Sequence, residues 1–489
     1  MRWLLFLLLS SHALARPLVV GSKKFTESVI LGEVLRLALK DDGKDVTHSE
    51  EIGGTRILWN ALESGDIDLY PEYTGTIEEE LLQRKTTSFA ELRELLRQEG
   101  IGVSAPLGFN NTYALGMKAG LAEKMGISKI SDLRRFPRIK LGLSGEFLQR
   151  KDGWPGLREA YGLPHVGVKG LDHDVAYRAM EQGDIEVVDL YSTDSEISYY
   201  GLTTLIDDLE YFPRYEAVIL YRLQVESEVA SVMQRLGGKI SNERMIELNK
   251  RAKSDKVPAN KVAADFLLKD FALSVEVKQR TRTERIFQTT IEHLRLVLLS
   301  MFLAILIAIP LGVIVAKRRH LGRGILAAVS AIQTVPALAL LVLLIKPLGY
   351  LGLSGIGDTP AMIALFFYSL LPIVRNTLSG IQQIPENLRE TAEVLNLSSA
   401  TKLWKIELPL ALPSILAGIK IALVLNVGFA TLGALVGAGG YGQPILTGIR
   451  LDDYGLILEG ALPATILALV CQGGFDWLEK RLVSPGLKL

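Results

Sequence analysis

Apolar positions in the first 280 residues follow two alternating rhythms. Short runs, Leu18-Val19-Val20-Gly21, Val46-Thr47-His48 and Ile67-Asp68-Leu69-Tyr70, read as strands. Between them, Val29, Ile30, Leu31, Val34, Leu35, Leu37 and Ala38 recur at helical spacing, and a second helix over residues 56–64 follows the Gly53-Gly54 turn. This βαβαβ order predicts an α/β domain with a mainly parallel sheet. The sequence also echoes itself. Residues 60–70 (Asn-Ala-Leu-Glu-Ser-Gly-Asp-Ile-Asp-Leu-Tyr) resemble residues 178–191, each a helix end, a Gly-Asp turn and a strand closing on tyrosine. Two similar lobes would bring both strand ends to one cleft, where open α/β sheets bind their ligands. Residues 70–76 and 191–194 are therefore the first candidate site.

From residue 296 the rhythm gives way to long uncharged runs: 296–316, 324–345, 359–374, 410–437 (broken by Lys420) and 456–475 (broken by Glu459). Each approaches the roughly 20 residues needed to cross a bilayer, so five spans are predicted. Basic residues Lys317, Arg318, Arg319 and Arg323, then Arg389, Lys402 and Lys405, then Lys480, Arg481 and Lys488 fall on one side of that topology. This places them, and the C-terminus, in the cytoplasm and the α/β domain outside. Residues 1–15, with a basic start, a short apolar run and Ala13-Leu14-Ala15, read as a secretory signal, consistent with an exported domain. No cysteine stands at the cleavage point to carry a lipid anchor. The expected organisation is a signal peptide at 1–15, an α/β domain at 16–278 and an all-α transmembrane domain at 285–482.

Composition narrows the chemistry. The 489 residues exceed one compact core and are 48% hydrophobic. Lys plus Arg and Asp plus Glu number 54 each, so nucleic acid has no electrostatic attraction to the chain. The single cysteine, Cys471, excludes a disulfide or cysteine metal site within one chain. No His/Asp/Glu cluster has metal spacing and no nucleophile motif stands out, so no cofactor, metal or enzymatic activity is expected. A Gly-x4-Gly-Lys-Ser/Thr phosphate loop is absent, so any ATP-driven work needs a separate chain.

Several motifs in order carry a family resemblance. Gly21-Ser-Lys-Lys-Phe-Thr-Glu27, Gly53-Gly-Thr55, Asp68-Leu-Tyr-Pro-Glu-Tyr-Thr-Gly-Thr76, Asn110-Asn-Thr-Tyr113 and Asp189-Leu-Tyr-Ser-Thr-Asp194 resemble the binding proteins of importers for glycine betaine, choline, carnitine and related quaternary amines. The resemblance implies a two-lobed Venus-flytrap fold and an aromatic cage for a trimethylammonium head. Such a head donates no conventional hydrogen bond and is attracted by ring faces. Carried over by motif, the cage is Tyr73, Tyr113, Tyr191 and Tyr215. Thr76 is a polar contact, Lys24 (or the backbone around Phe25 and Thr26) meets a carboxylate, and Asp194 favours a cation or caps its turn. The two lysines after Ser22 tilt the expectation from bare cations towards a zwitterion such as betaine. Another trimethylammonium zwitterion, such as ergothioneine, is the alternative.

In the apolar half, residues 390–409 resemble the EAA loop of ABC-importer permeases, from Glu390-Thr-Ala392 to Ile406-Glu-Leu-Pro409. Residues 333–341, 371–377 and 433–442 resemble the permeases of the same importers. This implies that Glu390, Ala392, Leu395, Asn396 and Leu397 dock a separate ATPase. Asn396 replaces the usual glycine and tolerates the left-handed turn that glycine would take. Five spans imply a permease homodimer in the lipid bilayer. The competing reading, a membrane-anchored ligand receptor, wants a signalling domain that the few residues after Phe475 do not supply.

Overall fold

The computed structural model describes residues 16–277 and 279–482; the expected signal segment 1–15 and Lys488 lie outside the described residues. The chain forms two compact units, the second comprising Glu51–Gly53 and the chain beyond residue 278.

The first unit holds two five-stranded sheets. Its strands are β1 (Leu18–Gly21), β2 (Val46–Ser49), β3 (Leu69–Tyr73), β4 (Ile101–Val103), β5 (Tyr113–Lys118), β6 (Leu141–Ser144), β7 (Lys169–Leu171), β8 (Val187–Tyr191), β9 (Leu202–Thr204) and β10 (Ala217–Arg222). The sheet orders are β2-β1-β3-β10-β4 and β7-β6-β8-β5-β9. The internal echo is thus a true repeat of topology, with β3 and β8 at the same central place in their sheets. The expectation of mainly parallel sheets needs correction, because β10 and β5 run antiparallel to β3 and β8. They do so because the chain crosses between lobes and re-enters each sheet from the cleft end.

Four helices matter for the site: α1 (Thr26–Asp41), α2 (Thr55–Ser64), α3 (His173–Glu181) and α4 (Asn242–Lys253). Helix α1 is buried nearly all round, which its dense apolar spacing anticipates. Strand β3 is buried at all five positions, as a strand covered by helices on both faces must be.

The second unit is helical. Its long apolar helices are α5 (Arg282–Lys317), α8 (Asp358–Gln382), a helical stretch over Ser399–Val436, and α11 (Tyr454–Leu482). The second expected span, 324–345, is not one straight helix. It is broken into α6 (Arg319–Thr334) and α7 (Ala337–Tyr350), bent by 103°. Pro336 lacks the N–H that would continue the ladder and holds Val335 extended at ψ 128°. By length and composition there are four spans, or five with this bent pair counted as one.

Helices α5 and α8 approach closely at Gly312, where a Cβ would fall 2.5 Å from the Thr377 Cβ. Asn426 donates to Ser300 Oγ at 3.3 Å, an interhelical contact. Lys420 is paired with Asp476 at 2.8 Å, and Glu459 with Arg285 at 2.7 Å, so both charges are neutralised between helices.

The 390–409 segment forms helix α9 (Glu386–Val394), a turn, and helical turns leading into α10 (Leu408–Phe429). Asn396 adopts φ 48°, the left-handed conformation anticipated for a glycine substitute. Ala392 is 3% exposed and packs inside the unit, so it anchors the loop and offers no docking surface. Val394 and Leu395 project into solvent, 85% and 65% exposed, beside exposed Glu390 and Asn396 and half-buried Leu397.

Candidate functional site

Strands β3 and β8 both end on a tyrosine, and the antiparallel partners deliver two more. Tyr113 opens β5 in register with Tyr191, and Ala217 of β10 pairs with Tyr73, which puts Tyr215 at the same sheet edge. The four expected cage rings therefore meet. Tyr113 lies 5.1 Å from Tyr191 and 5.5 Å from Tyr215, the latter edge-on at 86°. Phe25 adds a fifth ring, 6.2 Å from Tyr73 and 5.8 Å from Tyr191.

These residues, with Thr76, Thr55, Asn111, Lys23, Glu146 and Arg150, line a cavity of about 30 Å³. Thr55, Glu146 and Arg150 also line an adjoining cleft of about 410 Å³. Burial raises the pKa of each cage phenol, so all four rings stay neutral and offer intact π faces.

Two expected contacts lie elsewhere. Lys24 is exposed, its ammonium 4.0 Å from Asp172, and it does not line the cavity. The neighbouring Lys23 does: its side chain is buried, its Nζ donates to Glu72 at 2.5 Å and lies 5.6 Å from the Tyr73 ring centre. Which of two adjacent lysines turns inward depends on how the chain leaves β1, a detail that residue type does not carry.

Asp194 faces away from the cavity. It accepts the Tyr191 backbone N–H at 2.9 Å, His173 Nε2 at 3.0 Å and the Tyr177 hydroxyl at 2.6 Å. Its part is to hold Tyr191 in place, close to the turn-capping alternative.

Sequence reasoning missed Arg150, Glu146 and the Phe25 ring. Arg150 is 8% exposed, bonds Asp152 Oδ1 at 2.9 Å and Glu80 at 2.8 Å, and lies 5.6 Å from the Tyr113 ring centre. It comes from a connection after β6 with no motif to flag it. The Phe25 ring stands inside the Gly21–Glu27 motif, where residue type alone does not tell whether ring or backbone faces the ligand.

A carboxylate–imidazole group, Glu33, His48 and Glu50, brings its ligand atoms within 4.8 Å of one another. Glu33 is already clasped by Arg36 at 2.9 and 2.7 Å and by His48 Nδ1 at 2.8 Å, while His48 Nε2 meets Ser22 Oγ at 2.8 Å. The His48–Glu33 hydrogen bond thus ties β2 to α1.

His173 stacks 4.6 Å behind Tyr191. Burial opposes its charge, but Asp194, with Asp189 and Asp174 further off, overrides this and lifts its pKa to about 9. A folded value above the ordinary 6.5 stabilises the fold fully below pH 6.5, and the contribution is lost as pH rises through about 9. The melting temperature of the full chain is expected to fall across that window, and His173→Gln to flatten the fall. An unchanged slope in the variant would remove His173 as its source.

Residues 16–269 match the family described as the substrate binding domain of ABC-type glycine betaine transport systems, and residues 308–484 match the binding-protein-dependent transport system inner membrane component. The chain is 37% identical over 209 residues to the choline transport system permease protein OpuBB of Bacillus subtilis, covering 43% of this chain and 94% of that one. It is 34% identical over 264 residues to the ergothioneine transport permease/ergothioneine binding protein EgtU of Helicobacter pylori, covering 52% of this chain and 47% of that one. A solved glycine betaine/carnitine/choline ABC transporter structure is 27% identical, with TM-score 0.45, over 52% of this chain and 98% of that one. The chain belongs to the substrate-binding family of ABC-type glycine betaine transport systems, and it carries on one polypeptide both that binding domain and the membrane permease component of an osmoprotectant importer.

Proposed function

We propose that the first unit captures a trimethylammonium zwitterion, with glycine betaine as the reference ligand, and delivers it from outside the cell to a permease homodimer. A separate ATPase engages Val394, Leu395 and their neighbours on the cytoplasmic side, and the C-terminus faces the cytoplasm. The observation that carries the ligand class is the convergence of Phe25, Tyr73, Tyr113, Tyr191 and Tyr215 on one small cavity. Neutral ring faces attract a quaternary ammonium by about 0.5–2 kcal/mol each and reject a group that needs hydrogen-bond partners. Lys23, paired with Glu72, and Arg150, paired with Asp152 and Glu80, are the N–H donors on the same wall that a ligand carboxylate would meet, which favours a zwitterion over choline.

A second ligand has its own support. The 410 Å³ cleft joins the cage through Thr55, Glu146 and Arg150 and has room for a longer polar arm. The chain is 34% identical to EgtU over 264 residues, so ergothioneine is the specific alternative.

Calorimetric titration of the full chain in lipid nanodiscs with glycine betaine, choline, carnitine and ergothioneine tests the reading. Saturable binding of a trimethylammonium zwitterion, tighter than choline, is the expected result. Binding of amino acids or sugars without any quaternary amine overturns it.

A further inference from the structure

Behind the Tyr73 ring lies a fully buried carboxylate, Glu27, in the first turn of α1. Four side chains donate to it: Tyr73 Oη at 2.6 Å and Asn111 Nδ2 at 2.9 Å on Oε1, Thr193 Oγ1 at 2.6 Å and Asn249 Nδ2 at 2.9 Å on Oε2. Each oxygen meets one amide N–H and one hydroxyl, a donor set that can satisfy an ionised carboxylate in full. All four partners are uncharged. A buried anion held only by neutral donors is costly, because hydrogen bonds offset desolvation without neutralising the charge. Burial accordingly pushes the Glu27 pKa up, against the pull of Thr193, Tyr73 and Asn249.

The Tyr73 ring lines the cavity and its hydroxyl donates directly to this anion. A phenol donating to a carboxylate is polarised, with more electron density on the ring that faces the ligand. We infer that Glu27 is a positioning and specificity residue, a counter-charge that acts through Tyr73 on the quaternary ammonium and makes the cage read positive charge as well as shape. This rests on the quaternary-amine reading of the pocket. It goes beyond that reading in assigning charge discrimination to a residue that does not line the cavity. Asp152 stands in the same relation to Tyr215, whose hydroxyl it accepts at 2.5 Å, but its charge is shared with Arg150. Glu27 is therefore expected to dominate.

The test compares glycine betaine with 3,3-dimethylbutanoate, which has the same shape and carboxylate but a neutral carbon in place of the quaternary nitrogen. Full-length chain in nanodiscs is titrated with both. The wild type is expected to prefer betaine, and Glu27→Gln to shrink the ratio of the two affinities on the order of tenfold. Tyr73→Phe, which keeps the ring and removes only the phenol–carboxylate bond, is expected to shrink the ratio in the same direction. On the Glu27→Gln background it should add little. Equal weakening of both ligands marks Glu27 as merely structural and overturns the inference. An unchanged ratio in a folded Tyr73→Phe variant overturns it even if Glu27→Gln does not fold. Selective binding of betaine by the wild type with the ratio intact in both variants sinks the inference alone. A wild type that binds neither probe sinks the quaternary-amine reading with it.

Discussion

Tyr113→Ala is expected to weaken trimethylammonium binding by at least about a hundredfold, the largest loss from any single cage substitution. Tyr113 is the ring on which the others lean: besides Tyr191 and Tyr215 it touches Phe147 at 4.9 Å and Phe212 at 6.2 Å. Truncation removes one direct ring contact, worth about 0.5–2 kcal/mol. It also opens a hole in a nearly closed site, and aromatic-to-alanine changes in cores cost about 3–5 kcal/mol. Part of that is lost stability and part is lost alignment of Tyr191 and Tyr215, each of which loses one ring neighbour. Calorimetry gives the affinity, and thermal melting gives the share that is stability. Tyr113→Phe separates the two, because it keeps the ring and should hold affinity within about tenfold. If Tyr113→Ala bound betaine like the wild type, the cavity would not be the ligand site.

Leu395→Asp is expected to abolish ATP-driven uptake while leaving ligand binding unchanged. Val394 and Leu395 are large, apolar and mostly exposed, at the end of α9 next to the left-handed turn at Asn396. An exposed apolar pair on a loop anchored by the buried Ala392 is suited to seating in a partner's groove. Hot-spot side chains of that kind cost about 2 kcal/mol or more when lost, roughly thirtyfold in affinity, and a buried unpaired carboxylate adds to it. Reconstituted proteoliposomes with the partner ATPase measure uptake, and co-purification measures assembly. Both should fall together by at least tenfold. Wild-type uptake in a chain carrying Leu395→Asp would move the docking surface away from this loop.

The fold was largely written in local pattern. The strand and helix starts from Leu18 to Tyr73, the repeated Gly-Asp turn, and the left-handed Asn396 rest on interactions within a few residues, which periodicity and turn chemistry report directly. Tyr73, Tyr113 and Tyr191 were legible for a similar reason, since two close β-strands of a repeated unit and all three stand in recognisable motifs. The broken span at Pro336 was readable too, because proline removes a donor wherever it stands, but the apolar run on either side masked it.

The sequence by itself thus determined the order of elements, the split between a polar α/β half and an apolar helical half, the four tyrosines that meet at the cavity, and the lack of a phosphate loop for ATP. Only the tertiary structure decided that Lys23 and not Lys24 turns inward, that Asp194 props Tyr191, that Arg150 and Glu146 complete the wall, and that Glu27 stands behind Tyr73. The physical reason is distance along the chain. Glu27 takes its donors from positions as far apart as Tyr73 and Asn249, and Arg150 reaches Glu80 across 70 residues. Contacts of that kind exist only once both sheets have formed and the antiparallel strands β5 and β10 have carried their ends into the cleft.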